Sequence, residues 1–130
     1  MSSDTRFAFT KIFVDDVAAE AAFYRAALGM TEKARLTIGE GEDAVEEIIL
    51  TTGRDDDSSL ILWRYVERPT PAPGEAVLGF NVPDVEDTVL AVERAGGTVE
   101  RPVEKMPDLG FVTAFVKDPE GHLLELVQNL

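Results

Sequence analysis

The segment Val14-Asp-Asp-Val17 recurs as Val82-Pro-Asp-Val85, a displacement of 84 − 16 = 68 residues. The same displacement carries Gly29 onto Gly97, Glu32 onto Glu100 and Lys33 onto Arg101 without a gap. An ordered series of this kind marks an internal repeat. In the first copy, residues 7–14 are aromatic and β-branched and read as a strand. Residues 17–28 then switch to helical spacing, with Val17, Ala21, Tyr24 and Leu28 near one face and Phe23 beside it as packing. Asp16 stands where a carboxylate caps the first turn, and Gly29 where a helix end wants a residue without Cβ. Strands are expected at 31–38, 44–52 and 58–66, separated by acidic turns that read as solvated loops. The second copy repeats the order: strand 76–82, helix 85–95 stopped by Gly96-Gly97, then strands 98–101, 111–117 and 121–128.

Three prolines in residues 67–74 make a stiff connection that cannot sit inside a sheet. The expected organisation is one domain over residues 1–130, with module one at 1–66, a Pro-rich linker at 67–75 and module two at 76–130. Neither half is large enough to fold comfortably alone. The fold class expected is therefore α+β: two βαβββ modules forming a curved mixed β-sheet, an open barrel around a cleft, with the helices outside. Ligands favour such a junction.

Charge and composition narrow the partners. With 25 acidic against 12 basic residues the formal charge is −13, and nucleic acid is not expected because phosphate recognition needs clustered Lys and Arg. The absence of cysteine excludes disulfides and Cys-based metal sites. No apolar run approaches the roughly 20 residues that cross a bilayer, and the start lacks the basic and apolar regions of a secretory signal. A cytoplasmic protein without a membrane partner is expected.

The string Phe13-Val-Asp-Asp-Val-Ala-Ala-Glu-Ala-Ala-Phe-Tyr-Arg-Ala-Ala-Leu-Gly-Met30 resembles the opening motif of the vicinal oxygen chelate superfamily, which includes glyoxalase I, bleomycin-resistance proteins and extradiol dioxygenases. The ending Phe115-Val-Lys-Asp-Pro-Glu-Gly-His-Leu-Leu-Glu-Leu126 resembles its second hallmark, a DP-x-G turn leading into a glutamate-bearing strand. The resemblance implies four metal-ligand positions, on the first and last strand of each module. Here they fall on Phe9, Leu62, Val77 and Glu125. One oxygen donor does not hold a catalytic divalent ion, so no metal and no cofactor are expected. The lone His122 lies three residues from Glu125, so alternation sends it to the opposite face, as a turn residue.

Alternation supplies the rest of the expected site. Phe9 brings Phe7 and Lys11; Leu62 brings Leu60 and Arg64; Val77 brings Gly79 and Asn81; Glu125 brings Leu123 and Val127. Trp63, out of phase with Leu62, is expected beneath the helices or at a subunit contact, and Lys105–Gly110 as a loop with Met106 in reach of a ligand. Glu125 is expected to pair with Lys11 or Arg64, or to stay partly protonated and serve as general acid or base.

The function expected is metal-independent binding of a small organic molecule in the inter-module cleft, bleomycin-resistance-like, by a homodimer. One alternative is a glyoxalase-like lyase, isomerase or epimerase using Glu125 as acid or base. The other is a non-catalytic interaction module. Anionic ligands such as glutathione conjugates are disfavoured by the charge. Self-repulsion at −13 also predicts that the melting temperature rises from low to moderate salt as charges are screened. A flat melting temperature across a salt series contradicts it.

Overall fold

Parallel pairing of the first and last strand of each repeat organises the sheets. In order along the chain the elements are β1 (Phe9–Phe13), α1 (Val17–Leu28), β2 (Thr31–Ile38), β3 (Val45–Thr51), β4 (Ser59–Tyr65), β5 (Val77–Asn81), α2 (Val85–Arg94), β6 (Thr98–Met106), β7 (Phe111–Lys117) and β8 (Leu123–Asn129). A single 3₁₀ turn, Gly41–Asp43, precedes β3. The computed structural model describes residues 4–130. The strands form two four-stranded mixed sheets, β1-β4-β3-β2 and β5-β8-β7-β6, each with one parallel pair and two antiparallel pairs. This is the α+β, two-module architecture that the repeat implies, with hydrogen bonding closed within each set of four strands. Among the described residues no helix is long and apolar enough to cross a membrane.

The chain divides into two compact units. The first runs to Ala21 and resumes at Met30–Pro71; the second comprises Ala22–Gly29 and Ala72–Leu130. In the first, Val14, Ile48, Leu50 and Leu62 are buried together with Val17 and Ala21 from the start of α1. In the second, Val85 and Val92 of α2 are buried with Val116, Leu124 and Leu126 of the sheet. Burying each such aliphatic side chain contributes about 1.5–3 kcal/mol, which is why one face of each sheet is largely hydrocarbon.

The helix ends follow local chemistry. Asp16 Oδ1 accepts from the Ala19 N–H at 3.0 Å, and Asp84 Oδ1 from the Asp87 N–H at 3.0 Å. Gln128 Oε1 accepts from the Val85 N–H, satisfying another donor of the α2 start. Gly29 closes α1 at φ 67°, but in the second copy the left-handed residue is Gly96 at φ 100°, one position before the repeat alignment places it. α2 ends at Arg94, so the second helix is shorter than the first.

Gly97 does a different job. A Cβ there would lie 2.6 Å from the Lys117 carbonyl oxygen, 2.6 Å from Val92 Cγ1 and 2.9 Å from Phe23 Cε1. The backbone of β6 therefore begins pressed against β7, α2 and the Phe23 ring. β6 itself continues through Pro102 to Met106, past the end expected at Arg101. It is an edge strand, where a residue without an N–H is tolerated, and its pairing with β7 shifts register between Arg101 and Glu104. Lys105 and Met106 are accordingly strand residues rather than loop, and Gly110 at φ 82° completes the turn into β7.

Replacing Gly97 with Ala is expected to cost about 2–3 kcal/mol through overpacking against backbone. Gly29→Ala, which meets nothing within 4 Å, is expected to cost about 1 kcal/mol from its positive φ alone. Urea unfolding of the two variants checks the order.

Candidate functional site

On the face of the first sheet opposite its hydrocarbon core, register decides the membership. β1 and β4 pair Phe9 with Ser59, Lys11 with Ile61 and Phe13 with Trp63, and β3 brings Glu47 beside Trp63. Laterally paired residues point to the same side of a sheet. This face, open in part, thus carries Phe9, Lys11, Phe13, Ile61, Trp63, Tyr65 and Glu47, of which Ile61 and Glu47 are buried. Phe13 stacks on Tyr65 with ring centroids 5.4 Å apart and meets Trp63 edge-on at 6.3 Å. Trp63 and Tyr65 meet edge-on at 6.1 Å, and the Arg68 guanidinium lies 5.4 Å from the Tyr65 centroid. The Lys11 ammonium stands 4.1 Å over the Trp63 ring and donates to Glu47 Oε1 at 2.6 Å. Glu47 is buried, so this ammonium neutralises a carboxylate that water reaches poorly.

Three expected site residues lie on the other face. Leu60 and Leu62 are buried in the core, Leu62 at 0% exposure, and Leu62 pairs laterally with buried Ile12. Arg64 shares their side and donates to Glu46 Oε1 at 2.7 Å. Trp63, expected beneath the helices or at a subunit contact, stands on the face opposite the buried Leu60 and Leu62, so the place beneath the helices goes to those leucines. The physical reason is that Leu60, Ile61 and Leu62 are all buried, so alternation of hydrophobicity carries no phase in β4. A signal did exist: Leu60-Ile-Leu62 matches Leu124-Glu-Leu126 at a displacement of 64, which equates Ile61, not Leu62, with Glu125. Phe7 precedes β1 and is exposed.

In the second sheet the expected grouping and the register coincide. Val77 pairs with Leu123, Gly79 with Glu125 and Asn81 with Val127, all on one side. β7 adds Thr113 and Phe115, neither of them expected. Thr113 Oγ1 donates to Glu125 Oε2 at 3.0 Å. The two basic residues expected near Glu125 have acidic partners in their own sheet: Lys11 is held by Glu47 and Arg64 by Glu46. The Arg101 guanidinium sits 5.3 Å from the Phe115 centroid.

His122 belongs to the turn before β8. Its Nδ1 lies 3.0 and 2.9 Å from the two oxygens of Asp118, whose carboxylate also accepts from the backbone N–H groups of Glu120 and His122 and from the Tyr24 hydroxyl at 2.7 Å. Asp118, His122 and Tyr24 are all buried. The turn motif therefore anchors α1 residue Tyr24 to the second sheet, and the imidazole is committed to it.

The resemblance puts the four metal-ligand positions on Phe9, Leu62, Val77 and Glu125, and the register replaces Leu62 with Ile61, the equivalent of Glu125. Three are hydrocarbon side chains with no lone pair, so this donor set does not fit a divalent ion. What the open faces offer instead is aromatic surface, a neutralised Lys–Glu pair and one carboxylate braced by a hydroxyl.

Comparison with known proteins agrees with this architecture. The sequence pattern of the Glyoxalase/Bleomycin resistance protein/Dioxygenase superfamily matches residues 6–126. A probable lactoylglutathione lyase of Vibrio parahaemolyticus is 30% identical over 98% of this chain and 93% of its own length. Among solved structures, a glyoxalase family protein from Bacillus cereus superposes with a TM-score of 0.83 at 21% identity, covering 99% of this chain and 97% of the other. The trypanothione-dependent glyoxalase I of Leishmania major gives 0.78 at 26% identity, covering 96% and 87%.

The face assignment has a stability signature. Leu62→Ala is expected to cost about 2–5 kcal/mol in urea unfolding, as for a buried leucine. Phe9→Ala, at a position 50% exposed, is expected to change stability by no more than about 0.5 kcal/mol. The reverse order would return Leu62 to the open face.

Proposed function

The chain belongs to the glyoxalase/bleomycin resistance protein/dioxygenase superfamily, and from that premise we propose that it binds a small organic molecule on an open sheet face without chelating a metal at the superfamily's four ligand positions. The observation that carries this reading is the aromatic platform of Phe13, Trp63 and Tyr65, with Lys11 fixed over Trp63 by Glu47. Aromatic rings on a rigid strand present large apolar area with little entropy to lose on binding. The Lys11 ammonium is already satisfied, so it adds no strong pull on an anion, and the overall charge of −13 works against one. A neutral or cationic ligand with a planar apolar body is the class that suits these groups.

A second reading is favoured by the lactoylglutathione lyase relative and by Glu125, the one superfamily ligand position that keeps an oxygen donor. In it, Glu125 moves a proton in a glyoxalase-like isomerisation or lysis, with Thr113 fixing one carboxylate oxygen so that the other faces the substrate.

Trp63 is the chain's single tryptophan and reports directly on the platform. Titration with neutral bicyclic aromatic alcohols is expected to quench its emission saturably, with or without a chelator present, and Phe13→Ala to weaken the effect at least about tenfold. Unchanged emission with every compound overturns the binding reading. Turnover of lactoylglutathione that disappears in Glu125→Gln would put the second reading in its place.

A further inference from the structure

The two repeats share one hydrogen-bonding frame, so their side chains can be compared position by position. Lys11 pairs laterally with Ile61 in the first sheet as Gly79 pairs with Glu125 in the second. On the neighbouring strand, Ile49 pairs with Ile61 as Phe115 pairs with Glu125. Two steps further along each frame, Glu47 corresponds to Thr113. In the first sheet the chain brings its own cation: Lys11 reaches across β4 and neutralises Glu47. In the second sheet the carboxylate has moved to the central strand, and the residue beside it is glycine.

Three observations show that the place of the cation is open there. A Cβ built on Gly79 would meet nothing within 4 Å. Glu125 has one oxygen held by the Thr113 hydroxyl and no basic partner among the described residues. The two cations on this side of the sheet are engaged elsewhere: Arg101 stacks its guanidinium on Phe115, and Lys117, beside Leu123, lies 3.5 Å from Glu100 Oε2. A half-buried carboxylate with one oxygen braced by a hydroxyl and room over the neighbouring glycine is an acceptor for an external N–H donor.

We infer that the second sheet carries a recognition point for the ammonium group of a primary amine, seated over Gly79 and hydrogen-bonded to Glu125. The apolar body of such a ligand rests on Val77 and Leu123, which flank the gap on the same side. The inference shares with the preceding section the idea of an organic ligand on a sheet face, but its residues are those of the second sheet alone. The acidic chain concentrates cations at its surface and so favours this class over carboxylates.

The test uses three probes of one shape: benzylamine, benzyl alcohol and benzoate, titrated against the full chain and followed by NMR at the amides of residues 79, 113 and 125. Benzylamine is expected to bind about tenfold or more tightly than benzyl alcohol, the effect of one charge-assisted hydrogen bond, and benzoate least of all. Glu125→Gln, with melting checked, is expected to erase the preference. Gly79→Lys supplies the missing cation from within, as Lys11 does in the first sheet. It is expected to abolish benzylamine binding. Equal affinity for amine and alcohol in the parent protein, a preference that survives Glu125→Gln, or full amine binding in Gly79→Lys overturns the inference. Quenching of Trp63 by neutral aromatics is read separately, so the two proposals fail independently.

Discussion

The hydrogen bonds between β1 and β4 set Phe9 beside Ser59 and Phe13 beside Trp63, and the functional content of the first sheet follows from that pairing. A shift of one residue would send Trp63 into the core and Leu62 to the exterior. The pairing is parallel, so no tight turn fixes it; α1, β2 and β3 all intervene between the partners. Its register is held instead by what each face must bury. Ile12, Leu60 and Leu62 need hydrocarbon around them, whereas Lys11 needs Glu47.

The second repeat keeps the frame and changes the chemistry. β5 and β8 pair as β1 and β4 do, yet the aromatic platform of the first sheet has no counterpart, since Val127 occupies the place of Trp63. One module has become a greasy, self-neutralised surface and the other a smaller face with an acceptor group. Duplication followed by divergence of exposed positions leaves the stabilising core alone, because substitutions at exposed positions usually cost little stability.

Much of the backbone was legible. The α1 boundaries, the Asp caps and the β2 and β7 strands follow from periodicity, capping chemistry and glycine placement, all of which act over a few residues. The phase of β4 was not, because three consecutive buried aliphatics erase the alternation that tells one face from the other. Pro102 concealed the length of β6, since a proline argues against a strand unless the strand is known to lie at an edge. Of the candidate site, the second-sheet grouping around Glu125 could be read from alternation alone, while its bond to Thr113 joins strands whose pairing the sequence does not announce. The partners of Lys11 and Tyr24 are likewise distant in sequence, Glu47 and Asp118, and no local rule selects them.

The Asp118 turn also limits what chemistry is left. Its carboxylate engages the chain's sole imidazole, and the sequence contains no thiol. The two side chains that most readily exchange protons or attack electrophiles near neutrality are therefore spoken for or missing. Proton transfer or nucleophilic attack by this chain's own side chains would fall to carboxylates, amines and hydroxyls, whose reactivity depends far more on what surrounds them.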